Sequence, residues 1–165
     1  MYKQIIIARK DLEMSPGKLA AQVSHGSMAF LTSLIRDKQY TMKITKGQLA
    51  SWDEKPLSDW NDVVGYDFEY VFDKDLYEQW IEGSFTKCIL KAKNKNDLMK
   101  AKTLAEEMGM VEGRDFFLIK DNCYTELEPE EVDENGVGRT LTCIGFAPMD
   151  CETIDKIGKK YQLYR

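Results

Sequence analysis

Lys18 stands in the first turn of an expected helix, behind Ser15 as its N-cap, Pro16 at its first helical position and Gly17. The positive end of a helix dipole favours Asp or Glu there, so a lysine costs roughly a few tenths of a kcal/mol unless an anion sits in front of it. Backbone N–H groups and a cationic side chain then converge on an anion site around Gly17 and Lys18, with a solvated surface lysine as the plainer alternative. The full phosphate-loop pattern is absent, because Met14 to Leu19 reads M-S-P-G-K-L. Lys18, Gln22 and His25 fall at i, i+4 and i+7 and share one helix face, a polar stripe suited to a site wall. His25, the single histidine, is read equally well as a hydrogen-bonded structural imidazole. Asp121 is the second anchor. It follows an expected strand and is either a carboxylate facing Lys18 across a crevice or a turn-capping aspartate, since Asp121-Asn122 is ordinary turn chemistry. Thr125 and Thr140 fall near the same edge.

The elements that must position these groups alternate between strand and helix. Gln4 to Arg9 is a continuous apolar run that suits a strand covered on both faces. The helix after Ser15 carries Leu19, Val23, Phe30 and Leu34 at helical spacing, with Ala20, Ala21, Gly26 and Ala29 keeping one face small, and ends near Arg36. From Lys38 to about Phe72 the pattern loosens into an insertion with Gly47, Pro56, Gly65 and many acids. A short helix is expected over Asp75 to Ile81, ended by Gly83. In the strand Lys87 to Lys93, Cys88, Leu90 and Ala92 alternate with lysines around Ile89. Asn96 is the expected cap of a helix with Leu98, Ala101, Leu104, Ala105 and Met108 on one face. Asp115 to Lys120 and Arg139 to Phe146 are further strands, separated by an acidic loop with an Asn135-Gly136 turn. Asp150 caps a last helix through Lys159, and Tyr161 to Tyr164 closes the sheet. This alternation argues an α/β protein with helices on both faces of the sheet, in one domain.

The 165 residues carry a formal charge of −5. An acidic balance counts against a nucleic-acid partner. Cys88, Cys123, Cys143 and Cys151 form no C-x-x-C pair, and with one histidine no zinc-site spacing arises, so no metal, cofactor or disulfide is expected. The apolar run Ile5 to Ala8 is too short for a signal peptide or membrane span, which points to a soluble protein of a reducing cytoplasm with no membrane partner.

In chain order, these residues resemble the type 2 (archaeal and eukaryotic type) peptidyl-tRNA hydrolases. R-K-D-L-x-M-x-x-G-K-L-A-A-Q-V-S-H, from Arg9 to His25, is similar to that family's R-N-D-L-x-M-G-K-G-K-x-A-A-Q-x-x-H. L-I-K-D-N-C-Y-T-E-L-x-P, from Leu118 to Pro129, is similar to its L-I-x-D-A-G-x-T-x-I-x-P, and R-T-L-T-C-I-G-F-A-P follows from Arg139 to Pro148. Trp80 and Gly83 match a tryptophan and a glycine before the family's second strand. The resemblance implies a three-layer α/β/α fold with a mixed, about four-stranded sheet, often a homodimer, and hydrolysis of the ester joining a peptide to the 3′ ribose of tRNA. It places the family's functional lysine, aspartate and threonines on Lys18, Asp121, Thr125 and Thr140, with His25 and Gln22 in the helix motif. Gly17, Gln22, Arg9 and Lys10 are the expected substrate-binding residues, and peptidyl-tRNA is the expected partner. A non-catalytic relative with a partner surface of Trp52, Trp60, Tyr66, Phe68 and Tyr70 is the alternative.

The sequence departs from that pattern at Lys10 for Asn, at Ser15-Pro16 for Gly-Lys, at Asn122-Cys123 for Ala-Gly, at Phe146 for Pro, and in the insertion at about 38–72 and the acidic loop at 126–138. Those departures hold most of the negative charge. Residues 49–84 carry −8 and residues 126–138 carry −6, whereas the three family-like stretches carry +9 together. The objection to tRNA weakens accordingly, and the acidic segments are expected to oppose nonspecific backbone binding near the site.

Overall fold

The computed structural model describes residues 1–49 and 62–165. Trp52, Pro56 and Trp60 lie outside the described residues. The chain divides into two compact units, Met1–Phe30 with Phe72–Arg165, and Leu31–Val71.

In the first unit β1 (Tyr2–Arg9) leads into α1 (Pro16–Arg36), whose first residues belong to this unit. The second unit takes the remainder of α1, followed by β2 (Thr41–Thr45), α2 (Lys46–Leu49) and β3 (Val63–Phe68). Its described residues carry regular structure where the sequence pattern loosens into an insertion. β2 and β3 form an antiparallel ladder from Thr41↔Phe68 to Thr45↔Val63, and Tyr40 meets Tyr70 edge-on at 4.8 Å between ring centroids. Phe68 and Tyr70 stack, while Tyr66 is exposed.

The first unit resumes with α3 (Lys74–Leu76), which runs into a π-helical stretch, Tyr77–Ser84, broken at Gly83 by a non-helical backbone. It continues through β4 (Lys87–Ala92), α4 (Lys95–Glu107), β5 (Phe116–Asp121), β6 (Glu131–Val132), β7 (Gly138–Phe146), β8 (Met149–Asp150), α5 (Cys151–Gly158) and β9 (Gln162–Leu163). Asn94, not Asn96, caps α4: its side chain accepts from the Asp97 N–H at 2.9 Å. Asp150 caps α5 by accepting from the Thr153 N–H, as its position before the apolar residues of that helix requires.

The sheet is mixed, in the order β5-β7-β1-β4-β9, with β6 beside β7 and β8 beside β1. Only β1 and β4 are parallel neighbours within that order; β7 runs antiparallel to both β1 and β5. β1 and β5 therefore point the same way, with β7 between them. Their C-terminal ends, and the N-terminus of α1, lie along one edge.

Period-two alternation sorts each strand between two layers. Ile5, Ile7, Leu90, Ile144 and Phe146 pack with Leu98, Ala101 and Ala105 of α4 and with Ile154 and Ile157 of α5. Ile6, Ala8 and Cys143 face the other way, against Leu19 and Val23 of α1. Ala20 and Ala21 are exposed; the buried stripe of α1 passes instead through Gln22 and Gly26. At Gly26 the helix backbone touches the sheet. A Cβ built on Gly145 would lie 2.1 Å from the Gly26 carbonyl oxygen, so this crossing tolerates no side chain on the strand. Burial pushes the Cys143 thiol beneath it up to about 12, which makes that cysteine an inert core group, and all four cysteines are free.

Candidate active site

Asp121 is the last residue of β5 and Lys18 lies in the first turn of α1, so the sheet edge brings them together. The Lys18 ammonium is 2.7 Å from Asp121 Oδ2, with only 13% and 10% of the two side chains exposed. Gln22, one turn further along α1, donates its Nε2–H to the same oxygen at 2.8 Å, and the Cys123 N–H donates to Asp121 Oδ1 at 2.8 Å. Lys18 also donates to Thr125 Oγ1 at 3.2 Å. Burial raises the Asp121 pKa, but the Lys18 ammonium, the Cys123 amide and the Gln22 amide together outweigh it and hold the carboxyl below its usual range.

Gln22 owes its orientation to a residue the sequence reading did not single out. The fully buried Thr142 hydroxyl, on β7, donates to Gln22 Oε1 at 2.7 Å, which leaves Nε2 aimed at Asp121. Its signal was legible only as a threonine in a strand, which normally needs no functional reason.

Cys123 explains a second feature. Its φ is +55°, the left-handed region, where the similar family motif has glycine. That turn points the Cys123 N–H back at Asp121, and the thiol lies 3.4 Å from Thr140 Oγ1.

The other expected residues are placed differently. Thr140 is buried, and its hydroxyl donates to the Glu128 carbonyl at 2.6 Å and accepts from the Glu130 N–H, so it ties the loop before β7 to the strand. His25 is exposed, and its imidazole forms no hydrogen bond among the described residues. Seven residues of helix carry it roughly 10 Å along the axis from Lys18, away from the edge where Asp121 ends. Gly17 is exposed, with open space where a Cβ would stand. Lys10 is exposed and lies over the Tyr164 ring.

Arg9 is 3% exposed and faces α4 and α5's side of the sheet with Ile5 and Ile7. It donates to Asp11 through Nε and Nη2, and to Glu130 and the Leu141 carbonyl through Nη1. It is thereby an internal clamp. Lys95 adds a second cation to Glu130 at 3.1 Å. The Arg9 guanidinium holds the Glu130 carboxyl below its usual range. Glu130→Ala is expected to lower the free energy of unfolding by about 2 kcal/mol at pH 7, measured by urea denaturation. Because the folded pKa is depressed, this contribution is present above the ordinary value of 4.5 and is lost as the pH falls through the folded one.

The acidic loop is similarly engaged. Glu126 accepts from the Ser15 N–H and hydroxyl, Glu131 pairs with Lys120, and Asp133 pairs with Arg139 at 2.8 Å and accepts from the Val137 and Asn135 N–H groups. Within this loop only Glu128 and Glu134 have carboxylates without such a partner among the described residues. The anion expected before α1 is thus supplied by the protein itself, from Glu126 at Ser15 and Asp121 at Lys18. Neutralising the loop would dismantle these contacts as well as remove charge.

Among the described residues, no cluster of three or more His, Cys, Asp or Glu side chains is placed to hold a metal, and no helix is long and apolar enough to cross a membrane. What the edge offers is a largely buried carboxylate, a cation and an exposed hydroxyl side by side, a set suited to binding water beside a carbonyl whose oxygen becomes negative.

Comparison with known proteins bears on which carbonyl. The chain is 31% identical to a peptidyl-tRNA hydrolase of Thermoplasma acidophilum over 164 residues, 99% of each chain. It is 30% identical to one of Methanopyrus kandleri over the full length of both, and 28% identical to one of Thermococcus onnurineus over 156 residues, 94% of this chain and 92% of that one. Residues 2–164 match the family model described as peptidyl-tRNA hydrolase PTH2. That match runs through β1, α1, β5 and β7, the elements that assemble Lys18, Gln22, Asp121 and Thr142, and so the chain belongs to the PTH2 family of peptidyl-tRNA hydrolases, carboxylic ester hydrolases by reaction.

Proposed function

We propose that the Lys18–Asp121 group is the centre at which this chain cleaves the ester between a peptide and the 3′ ribose of tRNA, by direct attack of water. The observation that carries it is the shared hydrogen bonding: Lys18 is held by Asp121 and Thr125 and still has a third N–H to offer. Thr125 Oγ1 accepts from Lys18, so its own O–H points elsewhere. These two donors suit the oxygen that becomes negative when water adds to the ester carbonyl carbon.

Asp121 Oδ2 is saturated by Lys18 and Gln22, and Oδ1 carries the Cys123 N–H with a lone pair to spare. A water accepted there would be oriented for attack. Its oxygen forms the new bond to the carbonyl carbon, the bond from that carbon to the 3′ oxygen breaks, and the proton of the water ends on the 3′ oxygen. A carboxylate with a depressed pKa is a weak base, so Asp121 chiefly orients the water and stabilises the charge on it, while Lys18 supports the tetrahedral oxyanion. Gln22 and Thr142 are positioning residues that act through Asp121. Among the described residues, no nucleophile hydrogen-bonded to a base stands beside Asp121, which favours hydrolysis without a covalent intermediate. The homodimer that the resemblance implies and the cytoplasmic setting read from the cysteines and the short N-terminal apolar run belong to the same reading.

The test is incubation of the purified chain with tRNA carrying an N-acetylated amino acid, followed by release of free tRNA across pH. The expected profile is flat from about pH 8 to pH 5, with activity falling only as the pH passes below the ordinary carboxylate range, because protonation of Asp121 is what removes it. A loss of activity in His25→Asn as large as that in Asp121→Asn would transfer the role of base to His25.

A further inference from the structure

Four lysines lie on the sheet edge that carries the Lys18–Asp121 group, several strands away from it. Lys10, Lys91, Lys93 and Lys160, with Asp97, Tyr161 and Gln162, line a cleft of about 530 Å³ beyond the C-terminal ends of β1 and β4. Its charge is unbalanced. Lys91, Lys93 and Lys160 have no carboxylate partner among the described residues. Lys10 has only the Arg165 carbonyl, at 3.5 Å, and the Tyr164 ring. The single acid in the wall, Asp97, is occupied at the start of α4, where its Oδ2 accepts from the Lys93 N–H at 3.0 Å and its Oδ1 lies 3.7 Å from Lys100.

The register gives the direction of these lysines. Lys91 pairs with Ala8, and Ala92 with Arg9. Neighbours in a parallel ladder project to the same side, so Lys91 leaves the sheet on the face of Ile6 and Ala8, which is the face of α1, Lys18 and Gln22, while Lys93 stands in the bend just past the end of β4. Unpaired lysines on the face and edge of the scissile site form a track for a polyanion rather than a pocket for a small ligand.

We propose that this cleft docks the phosphate backbone of the tRNA acceptor end a few nucleotides before the ester, an assignment that rests on the function proposed above. The strand order sets the distance. From β5, which carries Asp121, to β4 is three inter-strand steps and to β9 four, roughly 14 to 19 Å. At about 3.4 Å per stacked nucleotide, this places the lysines about four to six nucleotides from the 3′ end, where the unpaired end meets the first base pairs of the acceptor stem. The site would thereby measure length and hold the ester at Lys18 without reading sequence.

The test compares wild type with Lys91→Gln/Lys93→Gln/Lys160→Gln, and with the double Lys93→Gln/Lys160→Gln, which changes only two exposed side chains. For N-acetyl-aminoacyl-tRNA, KM is expected to rise about 10-fold in the triple variant at 0.1 M salt, with kcat within twofold of wild type. The slope of log KM against log salt is expected to fall by about 2, at roughly 0.7 per lost phosphate contact. Hydrolysis of an N-acetyl-aminoacyl-adenosine, which has no backbone to reach the cleft, is expected to stay the same in all three proteins. Binding of deacylated tRNA, read by fluorescence anisotropy, tests the lysines independently of the chemistry. Wild-type tRNA affinity and salt slope in both variants would overturn the docking site. A wild type that binds tRNA through these lysines but cleaves neither ester would instead overturn the proposed reaction and leave the docking site standing.

Discussion

Asp121→Asn is expected to lower kcat for N-acetyl-aminoacyl-tRNA by about 10³-fold, with the circular dichroism spectrum of the wild type retained. The amide has the size of the carboxylate but cannot satisfy the same partners. Oδ2 faces two donors, Lys18 and Gln22, and Oδ1 faces a third, the Cys123 N–H. An asparagine presents one acceptor and one donor, so whichever way it turns, an N–H group confronts an N–H group, and Lys18 loses its counter-charge. The cation is then free to swing from Thr125, which removes the fixed donor geometry that the oxyanion needs. Lys18→Ala takes away the same donor from the other side and is expected to fall within about tenfold of Asp121→Asn. Loss of less than tenfold in single-turnover tRNA release by Asp121→Asn would remove this carboxylate from the reaction.

The largest effect on the fold is expected from Gly145→Ala, 24 residues beyond Asp121 in the chain and outside the chemistry. Its Cβ would stand 2.1 Å from the Gly26 carbonyl oxygen and 2.6 and 2.7 Å from two further backbone atoms of Gly26. No rotamer relieves a clash with backbone, so α1 must lift from the sheet by about 1 Å or more, at a cost of about 3 kcal/mol. Gln22 lies one turn before Gly26 and Lys18 two turns before it. The shift therefore strains the Thr142–Gln22–Asp121 chain, and a displacement of that size costs about 10²-fold in rate. The expected result is a lowered urea midpoint and, under conditions where the variant remains folded, a kcat loss larger than the unfolded fraction explains. Gly26→Ala is a graded companion. Its Cβ would meet a movable side-chain atom, Ile6 Cγ2, at 3.1 Å, and about 1 kcal/mol is expected. Wild-type melting and activity in Gly145→Ala would show that the helix–strand crossing does not position the site.

Local signals accounted for much of the framework. Ser15, Pro16 and the spacing of Leu19 and Val23 were enough to place the start of α1, because caps and helical periodicity act within a few residues. The same holds for Asp150 before α5 and for the alternation in β4. The cap of α4 was misplaced by two residues, since Asn94 and Asn96 offer the same short acceptor and only the backbone turn selects between them. The insertion's ladder was missed because β2 and β3 alternate weakly and are largely exposed.

Residue type and spacing alone pointed to a lysine at a helix start, a glutamine one turn on and an aspartate at a strand end as candidates to share one edge, with Thr125, Thr140 and His25 beside them. Tertiary structure decided how they meet. β7 inserts between β1 and β5, Thr142 orients Gln22 across 120 residues of chain, and Glu126 fills the helix start that looked ready for an external anion. It also separated like from like: Thr140 and Arg9, which match the family pattern as well as Thr125 and Lys18 do, are buried and bonded within the protein. The physical reason is that a polar side chain's availability depends on which partners the fold brings within hydrogen-bond reach, and those partners are distant in sequence.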